Sequence, residues 1–134
     1  MEHPIDTPEY NKAFVKNHFE EFVNRKNHTI AMETLATDFL DHDEAGGPAI
    51  GPEKAMHMME GMHKMMPDLH VQIEDIIAEG DKVMVRNIWS GTNPSGVKIQ
   101  FKGFVLWRLK GGKIVERWAT VTQPGQQTGK LPAW

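Results

Sequence analysis

The hydrophobic pattern changes period midway along the chain, and that change limits the fold more than any other feature. Up to Met66 the apolar residues recur at helical spacing. From His70 onward they alternate, in runs rich in Val, Ile, Phe and Trp separated by tight turns. Thr7-Pro8-Glu9 reads as a helix start, with Thr7 as cap and Pro8 at the first helical position. Tyr10, Phe14, Val15, Phe19, Phe22 and Val23 then form one apolar stripe. A shorter helix after Asn27-His28-Thr29 carries Ile30, Met32, Leu35 and Ala36. Asp38 to Asp43 reads as extended, and Glu44 to Pro52 as loop from its Gly and Pro content. Glu53 opens a third helix ending before Pro67, with Ala55, Met58, Met59, Met62, Met65 and Met66 on one side.

The second half reads as four strands: His70 to Ala78, Lys82 to Ser90, Val97 to Leu109 and Lys113 to Thr122. Glu79-Gly80-Asp81, Asn93-Pro94-Ser95-Gly96 and Lys110-Gly111-Gly112 are short connectors, so the strands form an antiparallel meander. Helices first and strands second describe an α+β fold. The expected architecture is a cone-shaped α+β barrel: three N-terminal helices packed on a strongly curved, mainly antiparallel sheet, with a pocket between them. No repeat or linker divides the 134 residues, so a single domain over 1–134 is expected, ending in an irregular tail over 123–134.

Composition narrows the partners. The formal charge is −3, with no basic excess to neutralise phosphates, so nucleic acid is not an expected partner. There are no cysteines, which excludes disulfides, thiolate nucleophiles and Cys-based zinc sites. No stretch approaches the roughly 20 apolar residues of a membrane span, and Met1-Glu2-His3-Pro4 is polar; the expectation is a cytoplasmic protein with no membrane partner. The seven histidines form neither an HExxH pattern nor an i, i+4 pair on one helix, and no metal site is expected. Nine Met and four Trp supply the soft and flat side chains that line apolar pockets.

Few residues carry possible chemistry. In Asp41-His42-Asp43 the extended backbone points His42 opposite to its two acidic neighbours. His42 is a candidate acid or base because it titrates near neutrality; it serves equally as a histidine tied to backbone or carboxylate. Arg86 sits mid-strand, where a charge must be paired or reach water. Alternation groups Met84, Arg86, Ile88 and Ser90 on one face, and Val83, Val85, Asn87 and Trp89 on the other. Arg117, Ala119 and Val121 share a face of the last strand.

Several segments, taken in order, carry a resemblance. They are Asn24-Arg25-Lys26-Asn27, Asp38 to Asp43, Met66-Pro67-Asp68-Leu69-His70, Glu74 to Val83, Trp89-Ser90-Gly91-Thr92 and Gly112 to Trp118. With them the chain resembles the SnoaL-like polyketide cyclase branch of the nuclear-transport-factor-2-like superfamily. The resemblance implies a cone with a ligand pocket, usually a homodimer through the sheet, and no cofactor as a rule. It implies His42 at the pocket mouth, and the Arg86 face toward the pocket, where Arg86 would hold a carbonyl, carboxylate or enolate oxygen. With His42 and Arg86 as catalytic candidates, the expected lining is Tyr10, Phe14, Met58, Met62, Ile88, Val105, Trp107, Arg117 and Ala119. One position departs. An Asp serves as general acid/base on the last strand of the cyclases; here it is Ala119, which transfers no proton. Two readings stay open: cofactor-free acid/base chemistry (cyclase, isomerase or lyase type) on a carbonyl-bearing apolar metabolite, or non-catalytic binding of a small molecule.

Overall fold

The hairpin loop Lys110-Gly111-Gly112-Lys113 shows how closely local chemistry sets the sheet. Gly111 and Gly112 both have positive φ, +59° and +79°, the left-handed pair a two-residue hairpin requires. That turn joins Lys98–Lys110 to Lys113–Val121 in antiparallel register. The computed structural model describes residues 3–44 and 47–122. The tail expected over 123–134 lies outside them.

In chain order the elements are α1 (Pro8–Phe19), α2 (Ala31–Thr34), β1 (Leu35–Asp41), β2 (Ala49–Ile50), α3 (Pro52–Met65), β3 (His70–Glu79), β4 (Lys82–Thr92), β5 (Lys98–Lys110) and β6 (Lys113–Val121). The sheet order is β2-β1-β6-β5-β4-β3, and only the β1–β6 pair is parallel. This is the expected α+β architecture, three helices on one curved, mostly antiparallel sheet. Register shifts in β3, in the β1–β6 pair and near Arg108 accommodate the bend.

Thr7 caps α1 as its sequence suggests, accepting the Tyr10 N–H at 3.2 Å. The helix then runs into a π turn over Glu20–Asn24. Asn24 leaves that turn to pair with the edge of β3: its amide donates to Val71 O at 3.0 Å and accepts from Val71 N at 2.8 Å. The amide thereby completes part of a ladder that would otherwise end unpaired. The second helix is shorter than its apolar spacing indicates. Leu35 and Ala36 belong to β1, because pairing with β6, Leu35 opposite Ile114, overrides the local preference. The two-residue strand β2 had no signal in its Gly- and Pro-rich surroundings.

A histidine chain anchors α3 over the sheet. His63 Nε2 lies 2.8 Å from Val23 O, and a carbonyl only accepts, so this nitrogen carries the proton. His63 Nδ1 must then accept from His28 Nε2, also at 2.8 Å. Val15, Phe19, Ala55 and Met59 of the long helices belong to one buried cluster with Val83, Val85, Val105 and Leu109 of the sheet.

Two glycines test this packing in opposite directions. Gly61 lies in α3 with open space around it, so Gly61→Ala should stabilise by about 1 kcal/mol through helix propensity. A Cβ at Gly103 would come within 3.0 Å of both Asn87 Oδ1 and Val121 Cγ2. Gly103→Ala should therefore cost about 1–3 kcal/mol. Thermal and urea unfolding of the two variants measure the contrast, and a stabilised Gly103→Ala would contradict the packing described.

Candidate functional site

The core does not fill. Large side chains from the helices and the inner sheet face surround a cavity of about 560 Å³, within the usual range for a small-molecule site. Phe19, Phe22 and Val23 enclose it from the first helix and its π turn. Ala55, Met58, Met59 and Met62 enclose it from α3. The sheet contributes Leu35, Phe39, Trp89, Phe101, Val105 and Trp107.

One end of this apolar chamber is polar. Arg117 on β6 and Asp41 on β1 are direct partners in the parallel ladder. Arg117 Nη1 donates to both Asp41 oxygens, at 2.9 and 3.1 Å. Asp41 is only 3% exposed, so the pair is held largely out of water. The guanidinium carbon also lies 5.8 Å from the Trp107 ring centre. Nη2 and Nε of Arg117 stay outside the ion pair.

Asp43 and Glu44 add acids at the rim. Asp43 N–H donates to Asp41 Oδ1 at 3.0 Å, and Asp43 Oδ2 accepts the Ala119 N–H at 2.7 Å. A carboxylate from the segment after β1 is thus docked on the backbone at Ala119.

His18 completes the polar end. It is 3% exposed, stacked on Phe22 at 5.0 Å and edge-on to Trp107 at 5.5 Å. Its Nδ1 lies 2.7 Å from Thr34 Oγ1. Burial, reinforced by the positive charge of Arg117, pulls its pKa from 6.5 to about 3. The imidazole is therefore neutral at physiological pH.

Of the residues expected at the site, Met58, Met62, Val105, Trp107, Arg117 and Ala119 line the cavity together. The others lie elsewhere. Arg86 projects from the outer face and pairs with Asp75 at 2.6 Å. The reason is register: Val85 is opposite Val105 and Arg86 opposite Phe104, so β5 turns the Val83-Val85-Asn87-Trp89 face inward. Ile88 follows Arg86 outward. His42 also points out. Its Nε2 donates to Glu116 Oε2 at 2.7 Å, and its ring stacks on Trp118 at 4.7 Å. The His42 and Arg108 hydrogen bonds hold Glu116 below the usual carboxylate range. Tyr10 stacks on Phe14 at 5.8 Å, and Phe14 packs against the core from behind the cavity wall.

Three polar residues escaped the sequence reading although signals existed. Alternation that turns His42 outward turns Asp41 inward, and the turn after β1 then brings the exposed Asp43 to the cavity mouth. His18 is four residues from both Phe14 and Phe22, on the apolar stripe of the first helix.

The buried imidazole makes stability depend on pH. Its folded pKa lies below its unfolded value, so between pH 6.5 and about 3 the unfolded chain binds a proton that folded His18 refuses. Stability then falls on acidification, by about 1.4 kcal/mol per pH unit from this residue. His63, held low chiefly by burial, acts in the same direction. Urea unfolding in steps from pH 6.5 to pH 5 should show this slope, and His18→Phe should reduce it by about one proton's worth. An unchanged slope in the variant would refute the buried neutral state.

Comparison with known proteins places this geometry. Among curated protein sequences, none matches the chain. The proposed SnoaL-like polyketide cyclase of Jannaschia sp. CCS1 superposes with a TM-score of 0.77 at 21% identity, covering 90% of each chain. AclR of Streptomyces galilaeus, a proposed hydroxylase, gives a TM-score of 0.76 at 22% identity, covering 87% of this chain and 91% of its own. A proposed polyketide cyclase of Bacillus cereus ATCC 10987 gives 0.74 at 27% identity, covering 84% of this chain and 74% of its own. The family description "SnoaL-like polyketide cyclase" matches residues 13–126, and over that span this chain belongs to the SnoaL-like polyketide cyclase family.

Proposed function

We propose that the protein binds a neutral, carbonyl-bearing, largely apolar molecule in this cavity and catalyses proton transfer on it without a cofactor. The observation that carries this reading is the docking of Asp43 on the Ala119 N–H at the cavity wall. The residue at Ala119 cannot move a proton, but Asp43 brings a carboxylate to the same stretch of backbone. In this reading Asp43 removes a proton from the carbon next to the carbonyl. The developing oxygen charge is met by the Arg117 hydrogens left outside the ion pair. The proton returns to a different atom, or the enolate attacks a second carbonyl of the same molecule. Because Arg117 is already neutralised by Asp41 and further acids stand at the rim, an anionic ligand is disfavoured.

Proton abstraction can be followed without knowing the natural substrate. Aryl methyl ketones that shift the melting temperature are incubated with the protein in D2O, and deuterium entry at the α-carbon is read by NMR. The wild type should exchange faster than solvent. Asp43→Asn should lose about 100-fold or more of that rate, while ligand affinity changes by less than about threefold. Binding with no exchange above solvent would leave a binding protein, the reading that Ala119 favours.

The outer sheet face supports a second copy of the chain as partner. Ile77, Met84, Leu106 and Trp118 are successive cross-strand partners, so they form one apolar row across four strands. Ile77 is 66% exposed and Met84 38%. Such a row fits face-to-face packing of two sheets. Sedimentation of the wild type should give a dimer at micromolar concentration, and Met84→Glu with Leu106→Glu should give a folded monomer. A wild type that stays monomeric throughout would remove the proposal.

A further inference from the structure

Hydrogen-bond bookkeeping at His18 constrains the ligand further. Thr34 Oγ1 lies 2.7 Å from His18 Nδ1 and 3.0 Å from Ile30 O. The hydroxyl has one proton, and the Ile30 carbonyl can only accept. Both contacts are satisfied in one arrangement only: Thr34 donates to Ile30 O, and His18 Nδ1–H donates to Thr34. The reverse would leave two oxygen lone pairs facing each other at 3.0 Å. Neutral imidazole has one proton, so Nε2 carries a bare lone pair.

That lone pair has no hydrogen-bond partner among the described residues, while the ring lines the cavity. It cannot be neutralised by taking up a proton at physiological pH, since burial and Arg117 oppose the charge. Nor is the ring free to turn away, because Phe22 and Trp107 pack its face and edge. A purely apolar ligand that displaced water here would leave a buried acceptor unpaired, which is costly. Sites built around such a group discriminate against analogues lacking its partner.

We propose that His18 Nε2 is a specificity-determining acceptor, and that the ligand of this cavity is a hydroxy-carbonyl compound, its phenolic or enolic O–H donating to His18. This rests on the reading of the cavity as the site for a carbonyl compound. It adds a second polar contact of opposite sense: Arg117 donates to the ligand and His18 accepts from it. Two such contacts fix the ligand end for end, which the apolar wall alone does not do.

The test compares three compounds on the purified protein by calorimetry: an acetonaphthone bearing a free phenol, its methyl ether, and the parent ketone. The wild type should bind the phenol about tenfold more tightly than either analogue. His18→Phe keeps an aromatic ring between Phe22 and Trp107 but offers no lone pair; it should bind all three alike, at the affinity of the parent ketone. Nitrogen-15 NMR of the wild type should show His18 as the Nδ1–H tautomer, with the Nε2 resonance moving on addition of the phenol and not of the ether. Equal binding of the three compounds by the wild type would overturn the inference and leave the carbonyl reading standing. So would a phenol preference that survives in His18→Phe, or an Nε2–H tautomer in the free protein. Binding of none of the three would overturn the cavity as a carbonyl site, and the inference with it.

Discussion

The ion pair between Asp41 and Arg117 is the contact on which the polar end of the cavity depends. It joins the two strands of the only parallel pairing among the described residues. It lays the guanidinium near the Trp107 ring and adds a positive charge to the burial that keeps His18 unprotonated. Asp41 also accepts the Asp43 N–H, which aims the next carboxylate at the Ala119 backbone. Removing either partner would leave a charge stranded in a mostly apolar chamber, and breaking a buried pair in this way is strongly destabilising. An apolar pair of the same size would hold the strands together as well or better. A charged pair kept at this depth is therefore weak evidence of added stability, and under the proposed function its value lies in what it offers to a guest.

The rest of the chamber follows from ordinary packing. Alternation on β4, β5 and β6 turns one row inward on each strand, and the register couples the rows: Val85, Val105 and Ala119 are direct partners. Small and medium residues along that line leave room where bulky ones would close it. The aromatic and Met residues above and beside it are too large to collapse into the space without leaving their rotamers. Gly103 has a different duty. It lets Asn87 approach β5, and Asn87 accepts the Trp89 N–H at 3.1 Å, which fixes one wall of the cavity.

Much of the fold was legible because its signals are local. The period of the apolar residues, the Thr7-Pro8 start and the Gly111-Gly112 turn each name an element without help from distant parts. The faces of strands were legible only where one strand's alternation stood clear of its neighbour's. On β5 and β6 alternation grouped the residues, and the resemblance implied which row faces inward, with Val105, Trp107, Arg117 and Ala119 lining the cavity. On β4 both rows contain apolar residues, and the choice depends on the Val85–Val105 register, which no single strand encodes. Arg86 drew attention as a charge in a central strand, yet its outward face lets it meet Asp75 in solvent at little cost. His42 and its acidic neighbours were separable from the sequence by alternation alone; the inward pair simply carried less obvious chemistry than a histidine. His18 was hidden for the opposite reason. On an amphipathic stripe a histidine reads as tolerated core, and only its partner Thr34, sixteen residues away, reveals which nitrogen is left bare.

These placements move the candidate site from the strand centres to the seam between β1 and β6. A site organised on Arg86 and His42 would have been cationic and open to solvent. The observed one combines a neutralised guanidinium, a neutral imidazole and a carboxylate at the rim, all beside flat aromatic walls. Under the proposed function, charge balance of this kind favours a neutral guest, because a ligand anion would find its cation already occupied and acids beside it. It also suits transient charge. In the proposed proton transfer, the guanidinium hydrogens outside the ion pair would meet the oxygen as it becomes negative, beside apolar walls. Interactions there strengthen as the charge forms, which is the condition for stabilising a transition state more than the bound ground state.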